Sequence, residues 1–329
     1  MPNSCYLLTS KPLIKMALRS LFFYMNKNNL ALTISVLALV TMLVIAVFGK
    51  YNYHEPKSVK EYPPMQFLNA KTIQLPESLE FADERVPLEI PDVKERLDKE
   101  LHINSYWHNN TIFLLKRANR WFPVVEPILK EYGIPEDFKY LALIESGFEN
   151  VKSYAGAEGF WQIMKGTAKE YGLEVNKDVD ERYHPVKSTI AAAQYLKWAY
   201  EKLGSWTLVA ASYNRGVRGI SNALEHQQTD DYYELLLNEE TYRYVFRILA
   251  IKQIFSDPKA YGFDVNKEHL YLPYEYAYDT INSDIDIVEY AKTKGTDYKT
   301  VRLYNAWIRD DKLKVKNGET YVIFLPAKK

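Results

Sequence analysis

Cysteine is nearly absent from the sequence. Cys5 is the single cysteine among 329 residues, and it precedes a long apolar run. The part of the chain after that run therefore contains no disulfide and must rely on its hydrophobic core, and Cys5 is not placed as the lipidated cysteine of a lipoprotein. No paired Cys and His spacing occurs, and the six histidines are scattered. We therefore expect no zinc site and no cofactor.

Acidic residues are absent from residues 1–50, which contain five cations. The rest of the chain holds 37 of the 42 basic residues and all 42 acidic ones, so it is mildly acidic. No basic stripe interleaved with aromatic residues occurs there. This pattern excludes nucleic acid as a partner.

Residues 30–49 form an uncharged apolar run that is long enough to cross a bilayer as a helix. Four cations and no acid precede it, so the positive-inside rule predicts a cytoplasmic segment over residues 1–29, a transmembrane anchor over 30–49 and an exported remainder. A cleaved signal peptide is the nearest alternative, and it gains support if translation begins at Met16 or Met25. A buried helix of a soluble domain is the other alternative.

Three regions follow the apolar run. Residues 50–91 are rich in Pro, Tyr and Glu without a sustained period, which indicates an extended linker. Residues 92–263 show helical periodicity with glycines between the segments, which predicts an all-helical domain. In residues 270–329, alternating Tyr, Val, Ile and Thr residues flank two helical stretches, which predicts a small strand–helix–helix–strand module.

Glu145 is an acid on an apolar helix face. Residues 135–147 begin with proline and two acids and end with glycine, as a helix does. Helical spacing places Phe138, Leu141 and Glu145 on one stripe. A carboxyl group held against apolar neighbours loses hydration, so its pKa rises and it is suited to donate a proton. The alternative is a helix-end glutamate that turns out to water.

Three further segments carry candidate ligand-binding residues. The loop at 153–164 contains two glycines, aromatic residues and Gln162, whose amide both donates and accepts hydrogen bonds. Tyr213 ends an alanine-rich helix and can direct its hydroxyl to a carboxyl group, with Asn214 beside it. Tyr244 lies on an apolar stripe. Structural alternatives stay open: an ordinary turn for the loop, a helix cap for Asn214 and a satisfied core tyrosine for Tyr244.

Together these segments resemble the family 1 soluble-lytic-transglycosylase domain, glycoside hydrolase family 23. The likeness extends over some 150 residues. The resemblance implies a mainly α, lysozyme-like (goose-type) catalytic domain. The matching stretches are IESGF (144–148), SYAGAEGFWQIMKGTAKEYGL (153–173), DERYHPVKSTIAAAQYL (180–196), WTLVAASYNRG (206–216) and ETYRYVFRILAIKQIFSDPKAYGF (240–263).

Residue roles follow from the resemblance. It implies that Glu145 is the sole catalytic acid and base and that Ser146 helps to orient the sugar. It further implies that Gln162, Tyr213 and Tyr244 line the cleft. Asn214 would help to hold its motif in shape. The sequence departs from the usual pattern at Lys165, where proline is common, and at Arg215, which replaces a small residue.

The carboxy-terminal module, residues 270–329, resembles a LysM repeat, which binds peptidoglycan. The likeness rests on DIVEYAKTKGTDYKTVRLYNAW and VKNGETYVIFLP, whereas the usual opening strand and its turn are degenerate. A generic small α+β cap on the catalytic domain is the alternative. The resemblance implies glycan strands of peptidoglycan as the substrate of one domain and the ligand of the other.

Hydrolytic glycosidases usually need two carboxylates, and only one acid here has a motif around it. Glu149, Glu158 and Glu181 are near in sequence, but we expect each to be solvated in a polar loop. The resemblance implies non-hydrolytic cleavage between N-acetylmuramic acid and N-acetylglucosamine, with a 1,6-anhydro ring as the product end, and the single acid fits that reaction. The alternatives are a hydrolytic muramidase on the same fold and a non-catalytic peptidoglycan-binding protein.

Overall fold

The computed structural model describes residues 30–52, 72–316 and 318–327, in two units divided after residue 70. The first unit contains helix α1, Leu30–Asn52, in which the described side chains are those of residues 34–46. Within the described part of the chain, no helix is long and apolar enough to cross a membrane. The predicted cytoplasmic segment at residues 1–29 lies outside the described residues.

The second unit begins with a small hairpin that packs on the helices. Strands β1 (Glu80–Phe81) and β2 (Glu84–Arg85) pair antiparallel, and Phe81 is fully buried. The linker predicted over residues 50–91 is therefore too long, because its last part belongs to the core. Glu84 also accepts hydrogen bonds from the backbone N–H groups of Trp206 at 2.6 Å and Thr207 at 2.8 Å. Its carboxylate thus satisfies donors that a helix amino terminus leaves unpaired.

The predicted all-helical region forms eight α-helices in the structure. The longest of these eight helices, at residues 108–131, contains two prolines. The helices are α2 (Pro91–Tyr106), α3 (His108–Glu131), α4 (Phe138–Ser146), α5 (Lys165–Glu170), α6 (Pro185–Leu203), α7 (Trp206–Arg215), α8 (Val217–Gln227) and α9 (Glu239–Ser256).

Helix α9 lies at the centre of the helical domain. It packs against α2, α7 and α4. Both Tyr244 and Ile248 are buried on it, together with most of its other apolar side chains. A helix that is apolar on most sides is stable only inside a core. Its position brings Tyr244 to the carboxyl end of α4, where Glu145 lies.

The carboxy-terminal module has the predicted strand–helix–helix–strand order. Its outer strands pair antiparallel over their whole length, so the opening strand that the sequence leaves weak is complete in the structure. The elements are β3 (Tyr276–Ile281), β4 (Ile285–Asp286), α10 (Ile287–Thr293), α11 (Tyr298–Tyr304), β5 (Lys312–Leu313) and β6 (Tyr321–Pro326), with β4 pairing β5.

A loop of the helical domain closes the core of the module. Val179 and Tyr183 belong to the same buried apolar cluster as Trp307 and its module neighbours. Two backbone hydrogen bonds fix the contact: Asp180 N–H donates to the Trp307 carbonyl at 2.8 Å, and Arg309 N–H donates to the Asp178 carbonyl at 2.7 Å. The helical domain and the module therefore share a core.

Candidate active site

Glu145 lies in the last turn of α4 and is half-buried. The helix stops at Gly147, which adopts the left-handed conformation with φ 60°. A Cβ at that position would lie 2.8 Å from Nη2 of Arg117 and 2.9 Å from Cδ2 of Leu114, so glycine is required for the close packing of α3 on this corner. The Arg117 Nε donates to the Gly147 carbonyl at 2.6 Å and secures the helix end.

The hydroxyl of Tyr244 on α9 donates a hydrogen bond to Oε1 of Glu145. One turn later on α9, Nη2 of Arg247 donates to the Ile144 carbonyl at 3.1 Å. Burial raises the pKa of the Glu145 carboxyl, against the lowering effects of the Tyr244 hydrogen bond and of the Arg247 charge, while Glu240 adds a small rise. The net result is a carboxylic acid that keeps its proton to higher pH than an exposed glutamate.

A cavity of about 420 Å³ opens onto Glu145. Four helices supply its walls: α2, α3, the end of α4 and α9. Its lining includes both charged and apolar side chains, among them Glu100, Ile103, Asn104, Trp107, Asn110, Leu114, Arg117, Glu149, Glu240, Arg243, Arg247 and Ile251.

Three further carboxylates line this cavity, and each has a partner. Glu100 is buried and accepts from Nε of Arg243 at 2.6 Å. Glu149 pairs with Nη1 of Arg117 at 2.9 Å. Glu240 accepts from the side chain of Asn214 at 3.1 Å. Within the described residues, no cluster of three or more His, Cys, Asp or Glu side chains is placed to hold a metal ion.

Ser146 uses its hydroxyl within the protein. Its Oγ donates to the carbonyl of Phe160 at 2.7 Å and accepts from the N–H of Phe148 at 3.1 Å. Ser146 thus joins the end of α4 to the glycine-containing loop. The role in orienting a sugar that the resemblance implies stays a prediction.

Gln162 and Tyr213 lie at a second, smaller cavity of about 200 Å³. Nε2 of Gln162 donates to the backbone carbonyls of Val151 and Gly159 at 3.1 and 2.8 Å. The Tyr213 hydroxyl donates to the Trp161 carbonyl at 2.7 Å, so the hydrogen bond to a carboxyl expected of Tyr213 is made by Tyr244 instead. Burial, and next the charge of Glu145, raise the pKa of Tyr213 well above its usual value.

Asn214 connects the end of α7 to the start of α9. In addition to its contact with Glu240, its Oδ1 accepts from the hydroxyl of Thr241 at 2.8 Å. Arg215 turns away to Asn238, to which its Nη1 donates at 3.2 Å. Lys165 is exposed at the first position of α5. The role of holding its segment in shape, which the resemblance implies for Asn214, stays a prediction.

Sequence reasoning missed several charged residues of the cavity. Glu100 comes from α2, far from the motifs, and is identified only when Arg243 of α9 is placed against it. Glu158 and Glu181, expected to be solvated, are instead buried, and each pairs with a cation that offsets its lost hydration: Glu158 with Arg182 at 3.2 Å and Glu181 with Lys187. The expectation holds only for Glu149, which is exposed.

Two family profiles match the chain. Residues 125–236 match the family described as Transglycosylase SLT domain. The chain carries a transglycosylase SLT domain. Residues 278–329 match the family described as Soluble lytic transglycosylase C-terminal LysM-like domain. Five of the six predicted site residues lie within the SLT domain, and Tyr244 follows it in the chain; the five are Glu145, Ser146, Gln162, Tyr213 and Asn214.

The chain is homologous to Membrane-bound lytic murein transglycosylase D of Escherichia coli (strain K12). The two are 27% identical over 254 residues, which cover 74% of this chain and 54% of that protein. The chain therefore spans about half the length of this curated relative, and the match extends beyond both ends of the SLT domain.

Two solved structures resemble parts of the chain. Lytic transglycosylase Slt of Pseudomonas aeruginosa, solved as an inactive mutant, is 19% identical, with 46% of this chain and 26% of that chain covered. The 70 kDa soluble lytic transglycosylase of Escherichia coli is 18% identical, with 57% and 37% covered. Both TM-scores are 0.34.

Proposed function

We propose that the protein is a peptidoglycan lytic transglycosylase. It would cleave the β-1,4 bond between N-acetylmuramic acid and N-acetylglucosamine and leave 1,6-anhydromuramic ends. The observation that carries the proposal is the half-buried Glu145 inside an SLT domain, with a raised pKa and a hydrogen bond from Tyr244. The homologous Escherichia coli protein, a murein transglycosylase by name, supports the same activity.

The proposed reaction uses Glu145 twice. The protonated carboxyl first donates its proton to the glycosidic oxygen, and the bond from that oxygen to muramic acid C1 breaks. The acetamido group of the substrate stabilises the positive charge that develops at C1. The ionised carboxylate then takes the proton of the muramic 6-hydroxyl, whose oxygen bonds to C1 and closes the ring. Glu145 ends protonated as it began, and no water is consumed.

The environment of Glu145 supports both steps. Burial favours the neutral carboxyl that donates the first proton. The Tyr244 hydroxyl, which donates to the carboxylate, stabilises the ionised form that the second step requires. Tyr244 itself is buried and holds its position in the core of α9. One acid with these two opposing influences is suited to act as acid and base in turn.

Localisation forms part of the proposal. We place the catalytic domain outside the cytoplasmic membrane, with residues 30–49 as an anchor and the amino terminus in the cytoplasm. Four cations and no acid precede the run, which supports this orientation. The homologue is membrane-bound by name. Glycan strands and the membrane are the proposed partners.

A hydrolytic muramidase is the second candidate function. Glu100, Glu149 and Glu240 line the same cavity as Glu145, so carboxylates that could serve a water nucleophile are present. Each of them already accepts a hydrogen bond, from an arginine side chain in the case of Glu100 and Glu149 and from the Asn214 amide in the case of Glu240. Their engagement favours the single-acid reaction.

Muropeptide analysis tests the proposal directly. We expect purified sacculi digested with the protein to release products whose muramic ends are 18 Da lighter than reducing ends, since ring closure replaces the addition of one water. Mass spectrometry with and without borohydride reduction distinguishes the two, because only reducing ends gain hydrogen. Products that consist of reducing ends would instead establish the muramidase.

A Tyr244→Phe variant is expected to lose roughly tenfold in activity and to shift its pH profile. The first step needs protonated Glu145, so activity falls as pH rises through its raised pKa. The Tyr244 hydrogen bond lowers that pKa. Its removal should therefore raise the pKa further and move the alkaline limb to higher pH, while the loss of a charge-assisted hydrogen bond weakens the second step by about 1.5 kcal/mol.

The measurement for Tyr244→Phe is the rate of sacculus clearing from pH 4 to 9. Tyr232→Phe is the matched control, since it also removes a buried tyrosine hydroxyl, one that donates to the carbonyl of Tyr242 at 3.2 Å. An unmoved or lowered alkaline limb in Tyr244→Phe would contradict the assignment.

A further inference from the structure

A second large cavity lies where the helical domain meets the module. This junction cavity has a volume of about 490 Å³ and is separate from the one that opens onto Glu145. Aromatic rings from three parts of the chain form most of its wall. They include Phe113 and Trp121 of α3, Tyr271 and Tyr274 of the segment between α9 and β3, and Tyr276 and Tyr304 of the module.

The junction cavity adjoins the Glu145 cavity. Arg117 and Glu149 line both of them, and their ion pair at 2.9 Å forms the shared wall. The side chain of Glu149 is 54% exposed in this pair, so a ligand can pass over it. A long molecule whose one part lies at Glu145 can therefore extend into the junction cavity.

The cations of the junction cavity are already engaged. Arg120 donates to the carbonyl of Leu272 at 2.9 Å and to the hydroxyl of Tyr274 at 3.0 Å, and its guanidinium lies 4.2 Å from the Tyr274 ring centroid. Arg117 is bound to Gly147 and Glu149. A ligand carboxylate would have to compete with these contacts. The wall is therefore better suited to the uncharged face of a ligand than to a ligand carboxylate.

Aromatic rings with polar edges suit sugars. Trp121 meets Tyr274 edge to face at 5.8 Å, and Tyr274 meets Tyr304 at 4.9 Å, so the rings form a connected wall. A pyranose has apolar C–H faces that pack on such rings, and hydroxyl and acetamido groups that bond to tyrosine hydroxyls. The wall is fixed, because the module shares a buried core with the loop that contains Val179 and Tyr183.

We propose that the junction cavity binds N-acetylated sugar units of the glycan strand, at a distance from the bond that Glu145 cleaves. The proposal rests on the proposed function, because it takes the strand in the Glu145 cavity as the molecule that continues into this one. The site makes affinity depend on strand length: a strand that reaches the junction cavity binds more tightly than a fragment that fills only the Glu145 cavity.

The test measures binding in the Glu145→Gln background, so that no strand is cut. The probes are peptide-free glycan strands, prepared from sacculi with an amidase, and a tetrasaccharide of the same repeat. Tyr304→Ala and Tyr271→Ala each remove one ring of the cavity wall, the first from the module and the second from the segment between α9 and β3. Tyr278→Ala is the control, because Tyr278 lies on β3 of the same module, is 66% exposed and is not part of the cavity wall.

We expect each wall variant to raise the Kd of long strands roughly tenfold and to leave the Kd of the tetrasaccharide unchanged, while the control changes neither. Thermal melting checks that each variant folds. If one wall variant does not fold, the other wall variant is used for the comparison. Equal Kd values for long strands in the folded wall variants and the control would overturn the proposal. So would a loss seen only with strands that keep their stem peptides, since the peptide would then be the occupant.

Failure of the proposed function would be visible separately. Wild-type protein that releases no anhydro ends from sacculi would refute the transglycosylase activity, whereas the dependence of Kd on strand length and on Tyr304 and Tyr271 would still report occupancy of the junction cavity.

Discussion

A Glu145→Gln variant is expected to lose about 10²- to 10⁴-fold in the rate of sacculus cleavage while binding glycan strands within twofold of wild type. Glutamine has the same size, and its amide oxygen can still accept from the hydroxyl of Tyr244. It cannot donate a proton to the glycosidic oxygen or take one from the 6-hydroxyl. The variant is therefore expected to lose catalysis and to keep its binding of glycan strands.

Two measurements check this expectation: the fall in turbidity of a sacculus suspension, and the Kd for peptide-free strands. Glu131→Gln is the matched control, since Glu131 is exposed at the last position of α3. Clearing by Glu145→Gln at the control rate would refute the role of Glu145. Negligible clearing by wild type and variant alike, with strands bound by both, would establish a non-catalytic wall-binding protein.

A Gly159→Ala variant is expected to lower the melting temperature by about 10 °C or more. Gly159 has φ +80°, and a Cβ there would lie 1.9 Å from the carbonyl oxygen of Arg182. Because that oxygen belongs to the backbone, the whole loop must move, which would disturb the buried contacts of Arg182 with Asp180 and Glu158. We expect a cost of several kcal/mol.

Gly156→Ala in the same loop separates the clash from the backbone conformation. Gly156 also has a positive φ, +91°, but no heavy atom lies within 4 Å of its added Cβ. It should cost only the strain of a left-handed alanine, about 1–2 kcal/mol, or a few degrees in melting temperature. Thermal unfolding followed by circular dichroism compares the two. Similar shifts in both variants would contradict the predicted clash.

The helices could be predicted where the chain marks their ends. Gly204 ends α6, and Ser205 caps α7 by accepting from the N–H of Leu208, both as the sequence indicates. These signals are local, so they can be read without the fold. Helix α8 begins after Gly216 without a side-chain cap, so its start carries no such local signal.

Contacts between distant residues could not be predicted in the same way. Glu100 and Arg243 are 143 positions apart, and no sequence motif at either position indicates that the two side chains pair. Tyr213 and Tyr244 both lie on apolar stripes, and only the packing of α9 against α4 decides that Tyr244 reaches Glu145. The candidate acid was therefore identifiable from the sequence, whereas its hydrogen-bond donor and the charged wall around it required the tertiary structure.

The shared core of the module has a consequence for any attempt to separate the two domains. Cutting the chain before residue 270 would expose Val179 and Tyr183 to water and leave the N–H of Asp180 without its acceptor at Trp307. The excised module would in turn lose part of its own apolar interior. Loss of activity in a truncated protein could thus result from destabilisation of the helical domain as much as from loss of sugar binding by the module. Point substitutions separate the contributions of the two domains better than truncation does.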